Sequence, residues 1–203
     1  SYADNTFRFM MHLLGGLGLI VVALSLGVFG KGSGSQLYTS EARSEHVVPN
    51  VIQTTQFIAK VTAIVILVAT VLLTGLLLLQ GFEPARATLQ ALWVSISGFV
   101  TGGFAPMQQS ILYYHSFILE IITLILMILG SISFVVFYEV WKGNTGPFFR
   151  DIETRTMFIW VAVMLGVFVA SLSGSTLFAD IPALLRRGVY MVISAFTTTG
   201  FSV

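Results

Sequence analysis

The sequence predicts an all-α membrane protein built from repeated helix–pore loop–helix units. Three observations carry that prediction. The 203 residues are 56% hydrophobic and only 9% charged, with a mean hydropathy of +0.91, so the chain cannot cover itself with polar surface. Four apolar segments are long enough to cross a bilayer, since about 20 residues at 1.5 Å rise traverse the hydrocarbon core. Finally, Ser97-Gly98-Phe99-Val100-Thr101-Gly102-Gly103-Phe104 and Ser194-Ala195-Phe196-Thr197-Thr198-Thr199-Gly200-Phe201 carry the same Ser, Phe, Thr, Gly and Phe at five matching places.

The elements follow in order. The apolar segments cover residues 7–29, 51–80, 115–141 and 156–173. The second and third exceed the hydrocarbon thickness and should tilt or protrude. Residues 30–50 and 142–155 are polar, with Gly, Pro and mixed charge, and read as aqueous loops. Residues 81–114 and 177–203 are half-apolar, each with an amphipathic helix of about three turns, residues 86–99 and 183–196, ahead of its Thr/Gly string. A helix that enters partway and an extended strand that returns is a re-entrant pore loop. Irregular backbone at membrane depth survives only where protein covers it or it lines a wet cavity. The chain thus divides into a closing helix plus loop (1–50), a complete unit (51–142), and a loop, first helix and pore loop of the next (143–203). The polar opening without an initiator Met, and the end at Val203, read as an internal piece of a longer polypeptide.

Two helices and one polar loop separate the pore loops, so both must face one side. The polar loops carry Lys31, Arg43, Lys142, Arg150 and Arg155, with Lys60 nearby; the pore-loop side carries Arg8, Arg86, Arg186 and Arg187. Six against four puts the polar loops in the cytoplasm. Tyr113, Tyr114 and Trp141 suit interfacial anchors. Gly15-Gly16-Leu17-Gly18-Leu19 and Gly130-Ser131-Ile132-Ser133-Phe134 supply small residues for close helix approach.

The Thr/Gly strings fit the chemistry of a dehydrated potassium ion. Backbone carbonyls can replace its water, provided the strand adopts dihedrals that Gly tolerates, here at Gly103 and Gly200. Thr101 and Thr198 add a carbonyl and a hydroxyl, and Phe104 and Phe201 are expected to wedge the strands against neighbouring helices. Pore-helix C-termini favour a cation, and neither string holds a carboxylate.

Phe196-Thr197-Thr198-Thr199-Gly200-Phe201-Ser202 resembles the pore-loop signature of the Trk/Ktr/HKT superfamily of potassium transporters, and its bacterial TrkH branch above all. Residues 97–105, with Thr101-Gly102-Gly103-Phe104, resemble that branch's second pore loop. Arg8 with Gly15-Gly16-Leu17-Gly18, Gln36-Leu37-Tyr38 with Glu41, and Phe149-Arg150-Asp151 with Glu153 and Arg155 extend the resemblance along the chain. It implies a single-chain pseudo-tetrameric cation channel of four units. The ion filter would fall at Val100, Thr101, Gly102, Gly103, Phe104, Thr197, Thr198, Thr199, Gly200 and Phe201, with potassium, the transported ion, held by the carbonyls of residues 100–103 and 197–200. Gly102, where the other string has Thr199, removes a side chain from one quadrant. The resemblance further implies a homodimer in the lipid of a bacterial inner membrane, a cytosolic nucleotide-binding regulatory subunit contacting residues 30–50 and 142–155, and no organic cofactor in this chain. The first pore loop and the gating loop would lie outside residues 1–203.

Other chemistry is remote. There are no cysteines, which removes disulfides and thiolate sites. His12, His46 and His115 lack metal-ligand spacing, a net charge of +1 gives no case for nucleic acid, and no nucleophile–base pattern marks an enzyme. Gly30-Lys31-Gly32-Ser33-Gly34 lacks the phosphate-loop spacing and reads as a linker. Glu120 reads as an outer-end carboxylate bonded to a neighbouring pore helix, with a functional ionisable group as the rival. Lys60 reads as snorkelling at the inner interface, and Asp180, Arg186 and Arg187 as a solvated vestibule rim. Two further readings stay open: a different re-entrant-loop carrier of sodium or coupled to it, and a non-transporting scaffold subunit.

Overall fold

In a computed structural model, residues 2–15, 51–132, 134–143, 146, 152–172 and 181–203 are described. The expectations for residues 16–50, for most of the 144–151 loop, for Ser133 and for Asp180 lie outside them. The described residues form helices and irregular segments, with no β-strand among them. We number the helices α1 (Tyr2–Leu13), α2 (Val51–Leu79), α3 (Pro84–Phe99), α4 (Phe117–Ser131), α5 (Phe134–Trp141), α6 (Ile152–Leu172) and α7 (Ile181–Phe196), with a 3₁₀ turn at Ser110–Tyr114 ahead of α4.

The 29 residues of α2 extend about 43 Å. Its end is set by Gly81, whose φ of 86° is one that a Cβ disfavours. Gly81 N donates to Leu78 O (3.0 Å) and Phe82 N to Leu77 O (3.1 Å), the paired closure that lets a helix stop without stranding its last carbonyls. Two residues later Pro84 opens α3, where its missing N–H costs nothing. The chain therefore doubles back at once, and α3 packs along α2. α3 and α7 are both pore helices in the sequence reading. Each has 16 residues, more than four turns rather than three.

The core gathers where these elements meet. Leu73 and Leu77 of α2, Ala87, Ala91 and Val94 of α3, Leu119 and Met127 of α4, and Tyr190 of α7 form one buried cluster that also takes in Phe201. Ala87 and Ala91 are fully buried, so two small side chains let α3 approach α2 closely. On the outer side, Leu67, Val68, Val71 and Leu72 of α2 and Phe158, Ile159, Val163 and Val167 of α6 stand exposed. Apolar faces of that extent mark a contact with lipid or another protein.

The third apolar segment is two helices, not one. α4 stops at Ser131, Ile132 turns extended (φ −80°, ψ 137°), and α5 resumes at Phe134. Gly-Ser pairs are a recognised cause of such breaks. Ser131 Oγ donates to Ile128 O (2.7 Å), and Gly130 lies so close to the end of α3 that a Cβ there would overlap Phe99 O. Accordingly, among the described residues one helix, Gln56–Leu79, is long and apolar enough to cross a membrane, with a hydropathy of 2.8; Phe117–Ser131 and Arg155–Phe168 are shorter apolar helices. α6 does have 21 residues, but Glu153 and Arg155 sit in its first turn and shorten its apolar part. At the α2–α5 corner, Lys60 Nζ lies 5.4 Å from the Trp141 ring centroid and Phe57 stands edge-on to Tyr138 at 5.2 Å, in keeping with an interfacial aromatic belt. Tyr114 is otherwise. It is 4% exposed and belongs to the core with Phe82, so it is packing rather than an anchor.

Gly130→Ala should force α3 and α4 apart and destabilise the fold by about 1–3 kcal/mol. Gly75→Ala, in α2 with open space around its Cα, should be neutral or stabilising by up to about 1 kcal/mol. Thermal unfolding of the full-length protein in detergent compares the two, and equal midpoints would contradict the close α3–α4 approach.

Candidate functional site

The two matching strings begin in the last turn of α3 and of α7 and run on beyond them, and each residue of one corresponds to the residue 97 positions later. Their backbones are built alike. Val100 N donates to Ile96 O and Thr197 N to Ile193 O, both at 2.9 Å; Thr101 N reaches Gly98 O (3.3 Å) and Thr198 N reaches Ala195 O (3.1 Å); Gly102 N reaches Ser97 O (2.8 Å) and Thr199 N reaches Ser194 O (3.0 Å). Each ribbon thus ties its N–H groups back to the last turn of its own helix. Tying three successive N–H groups back while the chain leaves the helix requires an abrupt change of hand. Thr101 (φ 54°) and Thr198 (φ 59°) supply it, followed two residues on by Gly103 (71°) and Gly200 (87°). Left-handed φ is rare for threonine. Among the described residues, the other two non-glycine residues with positive φ, Ser110 and His115, lie in the segment that joins the first ribbon to α4. Strained backbone of this kind concentrates at functional sites.

With the N–H groups turned back, the carbonyls of Thr101, Gly102, Gly103, Thr198, Thr199 and Gly200 accept no hydrogen bond from any described residue. The ribbons are also neighbours, because a Cβ on Gly103 would overlap Thr199 O. Thr198 and Gly200 are exposed, Thr101, Gly102 and Gly103 half-buried and Thr199 buried, so this carbonyl face is partly open and partly packed. The negative ends of the α3 and α7 dipoles run into it. Among the described residues, no group of three or more His, Asp or Glu could hold a metal ion.

The second ribbon is the more firmly held. Ser194 Oγ donates to Phe201 O (2.8 Å), Thr197 and Thr199 share a hydroxyl–hydroxyl bond of 2.9 Å, and Thr198 Oγ1 donates to Thr197 O (2.7 Å). Phe201 is 1% exposed and packs against Gly98 of α3, wedged between the helices. Beyond it, Ile111 N donates to Ser202 O (3.2 Å) and Ser202 N to Ser110 Oγ (3.2 Å), which stitches the ribbon to the 3₁₀ turn. The first ribbon departs from expectation. Phe104 is 48% exposed and does not wedge into the core. Its ring meets His12 of α1 edge-on at 4.3 Å, and Ser97 Oγ, equivalent to the hydroxyl that pins Phe201, is buried without a partner.

α4 braces α7 from behind. Glu120 is buried, and its carboxylate accepts from Arg186 Nε (2.6 Å) and from Arg186 Nη2. One turn along, Thr123 Oγ1 and the Tyr190 hydroxyl are 2.8 Å apart. Glu120 is therefore a carboxylate bonded to a neighbouring helix, α7. Arg186, although exposed, is a bidentate partner of Glu120 and not only a solvated rim charge, and Arg187 is exposed as well. Sequence reasoning passed over Ser97 and Ser194 as anchors, although Ser is one of the five shared positions. It also passed over His12, for which no local pattern gives a signal.

Comparison with known proteins gives a consistent picture. The TrkH family model, described as a cation transport protein, matches residues 1–203. The Trk system potassium uptake protein TrkH of Halomonas elongata is 28% identical over 97% of this chain and 40% of its own length. TrkG of Escherichia coli is 28% identical over 81% of this chain and 33% of its own. The crystal structure of the potassium transporter TrkH from Vibrio parahaemolyticus superposes with a TM-score of 0.71 at 21% identity, covering 99% of this chain and 39% of that one. The chain thus spans about 40% of the length of the relatives it matches.

Removing Arg186 should cost more than removing Glu120, because it strands a buried carboxylate, whereas Arg186 alone still reaches solvent with 43% of its side chain exposed. We expect Arg186→Ala to destabilise by about 1–3 kcal/mol and the double variant with Glu120→Ala to recover part of it. A thermal-stability double-mutant cycle measures the coupling, and strict additivity would remove the brace.

Proposed function

The chain belongs to the TrkH family of cation transport proteins, and on that premise we propose that its two ribbons are two quadrants of a backbone-carbonyl filter that conducts dehydrated potassium. One observation carries the reading: paired ribbons, alike in three successive N–H bonds and in the placement of their left-handed residues, lie side by side with carbonyls that accept no hydrogen bond from any described residue. Alternating hand along a chain turns successive peptide planes so that their oxygens share one side. A carbonyl without a donor needs water or a cation, and rings of such carbonyls are how a filter replaces an ion's hydration shell. The ribbons carry no carboxylate, so the selectivity is one of carbonyl dipoles, aided by the threonine hydroxyls and the helix C-termini. The potassium uptake proteins among the relatives point to potassium as the ion. Four such units close the ring, of which residues 51–142 are one complete copy.

The surroundings follow from the same reading. The exposed apolar faces of α2 and α6 meet lipid in an integral, multi-pass arrangement in the bacterial inner membrane. Polar loops 30–50 and 142–155 face the cytoplasm, where a nucleotide-binding regulatory subunit docks on a transporter that pairs as a homodimer.

Gly103→Ala and Gly200→Ala in the full-length gene test the filter. Both put a Cβ on a left-handed residue at a cost of about 1–2 kcal/mol, or roughly tenfold. Only Gly103 also meets the neighbouring backbone, since Gly200 faces open space. Rubidium uptake by a potassium-uptake-deficient bacterium should therefore fall about tenfold with Gly200→Ala and further with Gly103→Ala. Undiminished uptake with both would overturn the reading.

A further inference from the structure

Two differences between the ribbons coincide in space. Where the second has Thr197 and Thr199, joined through their hydroxyls at 2.9 Å, the first has Val100 and Gly102, which cannot form that bond. The side of the ribbon that a residue-102 side chain would occupy is not empty. A Cβ on Gly102 would overlap the His12 imidazole, whose Cγ would lie 3.2 Å away. The same ring stands edge-on to Phe104 at 4.3 Å and 81°, so one imidazole touches the ribbon at two residues that flank Gly103. α1 holds it there through its packing on α3, where Phe9, one turn before His12, stacks on Trp93 with centroids 5.6 Å apart and planes at 6°. The internal pin is also missing, because Ser97 Oγ is buried and unpartnered while Ser194 Oγ binds Phe201 O.

We infer that His12 is a positioning residue of the first filter ribbon, its imidazole replacing from another helix the side chain that Gly102 lacks. The inference rests on the filter reading above and deepens it. The second ribbon is braced from within, by Ser194, Thr197 and Thr199; the first is braced from outside, by α1. Gly102 is then the partner of His12, small because an aromatic ring already fills its place. The carbonyl spacing of this quadrant, and with it the preference between alkali cations, depends on a contact between α1 and the ribbon.

The test uses the full-length transporter and the ratio of potassium to sodium uptake, which does not depend on how much protein reaches the membrane. His12→Ala should lower the ratio about fivefold, the scale of one lost ring contact. Gly102→Thr should lower it further, because the new side chain meets the imidazole. The double variant His12→Ala/Gly102→Thr should recover most of the ratio, since a threonine then stands where the second ribbon has one. An unchanged ratio in His12→Ala, or a double variant no better than Gly102→Thr alone, would overturn the inference. Gly103→Ala run alongside separates the two levels: if it abolishes uptake while His12→Ala is silent, only the role of His12 fails; if it too is silent, the filter reading fails with it.

Discussion

Everything at the site depends on where the ribbon N–H groups go. Val100, Thr101 and Gly102, and likewise Thr197, Thr198 and Thr199, send their N–H groups back to the helix they have left. The closure is of the same paired kind that ends α2 at Gly81 and Phe82. The carbonyls of Thr101, Gly102, Gly103, Thr198, Thr199 and Gly200 then accept no hydrogen bond from any described residue. That division of donors from acceptors requires left-handed φ at Thr101 and Thr198, a conformation that threonine does not choose unaided. The surrounding fold has to impose it.

The imposition comes mainly from α4. Its Gly130 end lies against Phe99 O at the C-terminus of α3, Leu126 packs with Phe99 and Ile96, and its first turns hold α7 through Glu120–Arg186 and Thr123–Tyr190. One helix therefore touches both α3 and α7, each within reach of its ribbon. The interruption after Ser131 fits this duty, because an unbroken helix would carry the rest of the segment along the same line. The 3₁₀ turn then clips the far end of the second ribbon through Ser110 and Ser202, so the two ribbons are coupled through covalently continuous chain as well as by contact.

The ribbons nonetheless differ in how they are held, and the difference tracks composition. Hydroxyls at Ser194, Thr197 and Thr199 give the second a local network and a buried Phe201. The first has Val100 and Gly102 in their stead, an unpartnered Ser97, and Phe104 turned out to an imidazole. Two ribbons can thus share one backbone plan while drawing rigidity from different sources.

Much of this was legible in residues 97–104 and 194–201 alone. A five-residue identity after two amphipathic runs announced twin irregular segments, and Gly103 and Gly200 fell where φ proved positive, because glycine is needed at fixed places for a local reason. The turn at Gly81-Phe82 and Pro84, and the small residues at Gly130, were equally local. What composition could not convey was whatever depends on the partner across space: that the 115–141 segment breaks, that Tyr114 is core, that Phe201 wedges while Phe104 does not, that Arg186 finds Glu120, and that His12 fills the gap at Gly102. The sequence by itself determined the helical, apolar class of the chain and the positions of its ribbons, since hydropathy, glycine and proline act through neighbouring backbone. Tertiary structure alone decided which groups hold each ribbon in place, since those contacts join residues dozens of positions apart and depend on the packing of helices that no local pattern encodes.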